Sequence, residues 1–305
     1  MKLLIVCSGN YSQISPFIKE QAEAIEKRGV EIDYFLIKGK GLIGYLKNLS
    51  SLKKTIREFL PEIIHAHYGL SGLLACLQRK VPVVITFHGC DINRIKLRAL
   101  SYLASCLSRK NIFVSENLLK RLGLKKNNKN FVIPCGVNHK LFFPTPKENA
   151  RKKLGLEITK KYILFSSGFD NKIKNYQFCY QTLVKLNNNV ELIELSNRTR
   201  NEVYFLMYAC DLLMMTSFSE GSPQVIKEAL ISGLPIISTN VGDVKFMIDD
   251  VEGCYIIGTS VKDFADRILQ MIKLDKKTEG RERIIASGLD SESIAKKIIE
   301  VYSLV

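Results

Sequence analysis

Apolar runs of strand length alternate along this chain with helix-length amphipathic segments, the pattern of parallel sheets built from strand–helix units. Residues 3–7 form the first apolar run, and Ser8-Gly9-Asn10 follows it. Ser15-Pro16 then supplies an N-cap and first-turn pair for a helix that stops at Gly29. Residues 30–37 predict a second strand, 45–60 a basic helix closed by Pro61, and 62–69 a strand whose His65 and His67 share one face by the period of two. Another buried strand, 82–87, runs into His88-Gly89-Cys90-Asp91. Residues 94–110 read as a helix with Leu97, Leu100, Leu103, Ala104 and Leu107 on one face and Arg94, Lys96, Arg98, Arg109 and Lys110 elsewhere, a pattern that suits packing on a sheet, the commoner case, and also a helix lying on an anionic bilayer. Two further strands are expected at 111–114 and 131–134. Ligands of open parallel sheets gather beyond the carboxyl ends of strands, which directs interest to the Gly9 loop and to His88.

Cys135-Gly136-Val137-Asn138 opens a segment containing Pro144 and Pro146 that reads as a linker, so a domain boundary is expected near residue 145. The second half repeats the alternation, with strands at 162–166, 190–195, 211–215, 236–239 and 255–257. Helices are expected at 201–210, from Pro223, from Val261 and from Ser291.

The stretch from Phe218 to Val244 carries the most chemistry. Ser222 and Pro223 predict a helix start, with Ser222 as N-cap, and Gly233 its left-handed stop. Free amides at such a start carry partial positive charge, so the corner Gly221-Ser222-Pro223, with Gln224 behind it, is a seat for a phosphate. Glu220 lies in the loop before the corner and Glu228 lies within the helix. A wheel of about 100° per residue puts Glu228 roughly 130° from the centre of the apolar face, off the core.

Glu220 and Glu228, eight positions apart within SEGSPQVIKEAL, together with the following GLPIISTNVGD, resemble the signature of the retaining glycosyltransferases of family 4. The resemblance implies the GT-B architecture, an α/β fold of two Rossmann-like domains facing across a cleft. It implies an acceptor domain over 1–145, a nucleotide-sugar domain over 146–290, and a last helix, 291–305, that crosses back to the first domain. Carried over, Glu220 stands beside the donor sugar, Glu228 holds ribose hydroxyls, His88 faces donor sugar and acceptor, and the Gly9 loop approaches donor phosphates or acceptor. In the family an Arg and a Lys six residues apart grip the donor diphosphate. Here Lys174 stands at the lysine position but Gly168 occupies that of the arginine, so either Lys172 substitutes for it or donor binding is weaker.

Composition narrows the partners. The formal charge of +15 is concentrated in residues 1–145, where 23 Lys and Arg face 9 Asp and Glu. An excess of that kind suits an anionic partner; an anionic membrane surface or a phosphorylated acceptor fits better than nucleic acid, because no basic stretch is interleaved with stacking aromatics. The N-terminal apolar run is too short for a signal peptide, and eight scattered cysteines without a C-x-x-C pair fit reduced thiols in the cytoplasm. His65 and His67 lack a third ligand at metal spacing and no D-x-D triplet occurs, so no metal or other cofactor is expected.

The expected reaction moves a hexosyl unit from a nucleoside-diphosphate sugar to a glycan or polyprenyl-linked acceptor in cell-surface polysaccharide synthesis, on the inner face of the membrane. A nucleotide-sugar epimerase of the same fold and a non-catalytic nucleotide-sugar-binding subunit are the alternatives, the second favoured by the missing arginine.

Overall fold

The computed structural model describes residues 1–10, 14–186 and 190–305, which divide into two compact units, 1–136 with 291–305, and 137–290. The first unit holds a six-stranded sheet of β1 (Lys2–Ser8), β2 (Glu31–Ile37), β3 (Ile63–His67), β4 (Val83–Phe87), β5 (Lys110–Phe113) and β6 (Asn130–Val132). The second holds five strands: β7 (Tyr162–Phe165), β8 (Glu191–Glu194), β9 (Leu212–Met215), β10 (Ile236–Ser238) and β11 (Cys254–Ile256). Their orders are β2-β1-β3-β4-β5-β6 and β11-β10-β9-β7-β8, and every pairing is parallel.

Continuous apolar runs form these strands because both faces of each sheet are covered. Along β1, Leu4 and Val6 join one core while Leu3, Ile5 and Cys7 join the other. Along β7, Tyr162 and Leu164 face one layer and Ile163 and Phe165 the opposite one. The last helix, Ser291–Tyr302, belongs to the first unit, where Ile294, Ala295, Ile298 and Val301 pack beside Ile18 and Ile25 of the helix Pro16–Glu26. Tyr302 Oη reaches the sheet and lies 2.6 Å from His65 Nδ1.

Several elements depart from the sequence pattern, among them the unforeseen helices Lys147–Leu154 and Tyr176–Lys185. The single helix expected over 45–60 is two, Gly41–Leu46 and Leu49–Phe59. Asn48 stands between them and turns its amide onto the carbonyls of Lys38 and Gly44, both at 2.8 Å. An unforeseen helix, Gly69–Cys76, follows β3. It packs so closely that a Cβ on Gly69 would fall on Ser101 Oγ and one on Gly72 on Ile85. That closeness shifts the inward face of the helix Ile95–Leu107: Ser101, Ala104 and Ser105 are small enough to be buried and Leu97 and Leu100 are half-buried, while Ile95 (80% exposed), Leu103 (47%) and Leu107 (48%) face solvent. Among the described residues no helix is long and apolar enough to cross a membrane.

Candidate functional site

Each unit gathers polar side chains at the carboxyl edge of its sheet. In the second unit the loop after β9 is tied to the loop after β7. Phe218 N donates to Ile173 O (2.9 Å) and Thr216 Oγ1 to Lys174 O (2.8 Å). These bonds bring Lys174 onto Glu220, with Nζ to Oε1 at 2.6 Å, and Ser217 Oγ donates to the same oxygen at 2.7 Å. Gly242, at φ +59°, rests against the loop from behind; a Cβ there would stand 2.7 Å from Gly221 O, so only glycine leaves that backbone in place.

The helix after this loop is Gln224–Ile231, with Pro223 rather than Ser222 at the N-cap. Ser222 does not cap because its hydroxyl is taken by Lys227, whose Nζ donates to Oγ at 2.7 Å. Glu228 is not solvated, contrary to its place on the helical wheel. Its side chain is 9% exposed and is covered by Arg200, whose Nη1 donates to Oε1 at 2.6 Å. The wheel fails here because residues 226–231 are buried all round. The Arg200 guanidinium lies over the Phe142 ring, 5.1 Å from its centroid.

The second unit thus brings together Lys174, Glu220, Gly221, Ser222, Pro223, Gln224 and Glu228, ending in two acid–cation pairs. A longer residue at Gly168 would have to displace the side chains of Asp170 and Ser196, since a Cβ would lie 2.7 Å from Asp170 Oδ1 and 2.8 Å from Ser196 Cβ. Lys172 is exposed on the short 3-10 turn Lys172–Lys174.

His88 and Gly9 belong to the first unit. Gly9 N donates to Ile37 O (2.8 Å), and a Cβ would come 2.8 Å from Leu36 Cβ, so this glycine is explained by the crowded ends of β1 and β2. His88 ends β4 with Nε2 3.0 Å from His67 Nδ1 and Nδ1 3.6 Å from Cys135 Sγ. The rings of Tyr68 and Phe17 flank it at 4.6 and 5.0 Å. Tyr68 holds φ +73° and ψ 151°, a region normally reserved for glycine, at the point where β3 feeds its helix. Asp91 ties the two loops, accepting from Gly89 N at 2.8 Å and Gly69 N at 3.0 Å. Burial pushes its carboxyl up to about 6 against those bonds. Burial holds His65 neutral, with its pKa lowered to about 3, and lowers His67 as well, aided by its two histidine neighbours. Among the described residues no three His, Cys, Asp or Glu side chains are grouped to hold a metal ion.

Arg200, Lys227, Asp243 and Asp91 were not singled out from the sequence as members of these clusters, whereas His65 and His67 were noted there as a pair on one strand face. A lysine inside an otherwise apolar helix and the Gly242-Asp243 pair after a buried strand were the available signals.

Comparison with known proteins accounts for this geometry. The model of Glycosyltransferase Family 4 matches residues 14–141, and that of Glycosyl transferases group 1 matches 174–290. The chain is 30% identical to an uncharacterized glycosyltransferase of Methanocaldococcus jannaschii, over 75% of this chain and 71% of that protein. It is 22% identical to the N,N'-diacetylbacillosaminyl-diphospho-undecaprenol alpha-1,3-N-acetylgalactosaminyltransferase of Campylobacter jejuni, over 85% of this chain and 81% of the relative. The Anabaena protein HepE, solved in complex with UDP-glucose, superposes with a TM-score of 0.76 at 16% identity and full coverage of both chains. The fold is the GT-B fold of glycosyltransferases.

Proposed function

We propose that this chain, which belongs to glycosyltransferase family 4, transfers a hexosyl unit from a nucleoside-diphosphate sugar to a polyprenyl-linked or glycan acceptor with retention at the anomeric carbon. The carrying observation is the pair of carboxylates either side of the helix start at Gln224, each held by a cation, Glu220 by Lys174 and Glu228 by Arg200. A diphosphate resting on the amides of Gly221, Ser222 and Gln224 would lie between them, because a helix start favours anions. In this reading Lys174 turns from Glu220 to the leaving diphosphate and neutralises charge as the glycosidic bond breaks. Glu220 then orients the sugar and Glu228 the ribose. His88 and the Gly9 loop serve the acceptor side.

The likeness to HepE supports UDP as the nucleotide to try first, and the Campylobacter relative supports a polyprenyl-diphosphate acceptor. We infer no need for a divalent metal, so chelation should leave turnover unchanged. The exposed apolar stripe of Ile95, Leu103 and Leu107 lies beside Arg94, Lys96 and Arg109, an arrangement that supports peripheral binding to an anionic bilayer on the cytoplasmic face.

The reading is tested by calorimetric titration with UDP and UDP-sugars, followed by NMR of the product's anomeric proton. A β-linked product from an α-linked donor would remove retention; binding of no nucleotide would remove the donor site. One observation favours a second reading, a nucleotide-sugar-binding subunit without turnover: Gly168 stands where the family has its arginine, and the side chains of Asp170 and Ser196 crowd the space beside it. Tight UDP-sugar binding with neither transfer nor donor hydrolysis across an acceptor panel would select it.

A further inference from the structure

Lys227 is fully buried, 0% exposed, near the start of the helix Gln224–Ile231. That position is costly twice over. A lysine is almost never wholly buried without a partner, and a cation near a helix N-terminus opposes the helix dipole. What offsets the cost is at the corner itself, where Nζ donates to Ser222 Oγ at 2.7 Å. An ammonium only donates, so Ser222 Oγ must accept from it and the hydroxyl keeps its own proton to give away. Asp243 is the buried carboxylate on the other side: burial raises its pKa, and the charge of Lys227 and a hydrogen bond from Ser222 offset only part of that. Its Oδ1 is buried and accepts no hydrogen bond among the described residues. Gly242, next in the chain, sits with its Cα against Gly221 and Glu220. Lys227, Asp243 and Gly242 together therefore brace the loop 220–222 from within.

The same unit lacks one of the two cations that the resemblance places on the loop after β7, and a longer side chain at Gly168 would have to displace those of Asp170 and Ser196. We propose that Lys227 is a positioning residue of the donor site: from inside the helix it supplies the charge that Gly168 cannot. Acting through Ser222, it holds the amides of Gly221, Ser222 and Gln224 open to a diphosphate. This rests on the donor reading above. It predicts that the charge of Lys227 matters in proportion to the phosphates on the ligand and not to the nucleoside.

The test is titration of uridine, UMP and UDP into wild type, Lys227→Met and Ser222→Ala, with thermal unfolding of each. Loss of a charge-assisted contact should lower the ratio of UDP to uridine affinity by about tenfold or more in Lys227→Met. Uridine binding should stay within about twofold. Ser222→Ala should lower the same ratio, and the double variant should lose less than the two single losses combined, because both act through one hydroxyl. Should Lys227→Met fail to fold, Ser222→Ala alone decides. An unchanged ratio in the folded variants, or equal losses for uridine and UDP, overturns the proposal and leaves the donor reading intact. Wild type that binds none of UDP, GDP, ADP, CDP or dTDP overturns both.

Discussion

Arg200, the first residue of the helix Arg200–Ala209, and Glu228, midway along the helix Gln224–Ile231, meet at 2.6 Å although 28 residues apart in sequence, and the carboxylate is the more deeply covered partner. Removing the cation therefore leaves a nearly buried acid, whereas removing the acid leaves a guanidinium that still reaches solvent. Arg200→Ala is expected to destabilise by about 1–2 kcal/mol, discounted from a fully buried pair because Arg200 is 29% exposed. Glu228→Ala should cost less stability but remove the shift that UDP gives to the melting temperature, by loss of the ribose contact. Urea unfolding and a thermal-shift titration measure the two effects separately.

Lys174 presents the opposite trade. Its ammonium lies on Glu220 in a largely covered pair, and in the proposed reaction it must serve the leaving group instead. Lys174→Met should lower kcat by about 10²–10³, the usual loss for one electrostatic stabiliser, with a smaller change in KM. Steady-state kinetics with a saturating acceptor would show it; a change confined to KM would make Lys174 a ground-state binding residue only.

Two buried groups of the first unit give stability a worked pH dependence. His65 has its pKa lowered from 6.5 to about 3 by burial. The unfolded chain therefore takes up its proton first, and stability falls as pH drops from about 6.5 towards 3, by on the order of 5 kcal/mol. Asp91 runs the other way: raised from 3.8 to about 6, it contributes fully below pH 3.8 and loses about 3 kcal/mol as pH climbs through 6. Urea midpoints of wild type, His65→Gln and Asp91→Asn between pH 3.5 and 7.5 should show the first variant flattening the acid limb and the second removing the fall that Asp91 imposes between pH 4 and 6.

The outward stripe of the helix Ile95–Leu107 should mark the membrane-facing side. Leu103→Glu with Leu107→Glu is expected to abolish co-sedimentation with phosphatidylglycerol vesicles at low salt. The melting temperature should hardly move, because both side chains are already half exposed. Sedimentation of wild type equal for neutral and anionic vesicles would exclude the electrostatic part of this docking.

What could be read from the chain follows the reach of each signal. The central strands were the most legible because they are continuous apolar runs buried on both faces, as at Leu3 to Cys7, Val83 to Phe87 and Leu212 to Met215. The helix Gly69–Cys76 was not, since its glycines and Ser71 report how near Ser101 and Ile85 come and carry no helical periodicity. Its closeness in turn left Leu103 and Leu107 outside the face expected of the helix Ile95–Leu107, although Ala104 stays buried. In the site, Glu220, Glu228 and Lys174 stood out through their spacing in a known signature. Arg200 and Asp243 did not, because what makes them members is a partner on another element, Glu228 and Ser222 respectively.

The contact of Tyr302 with His65 carries a consequence for biosynthesis. The strand bearing His65 leaves the ribosome early, yet its covering helix is made of residues 291–302, among the last translated here. The first unit must wait, with Ile5 and Ile63 uncovered, while the whole of the second emerges and closes on itself. Maturation thus runs out of sequence order, and a ribosome stalled before residue 291 would present a finished rear unit beside a sticky, half-roofed front one.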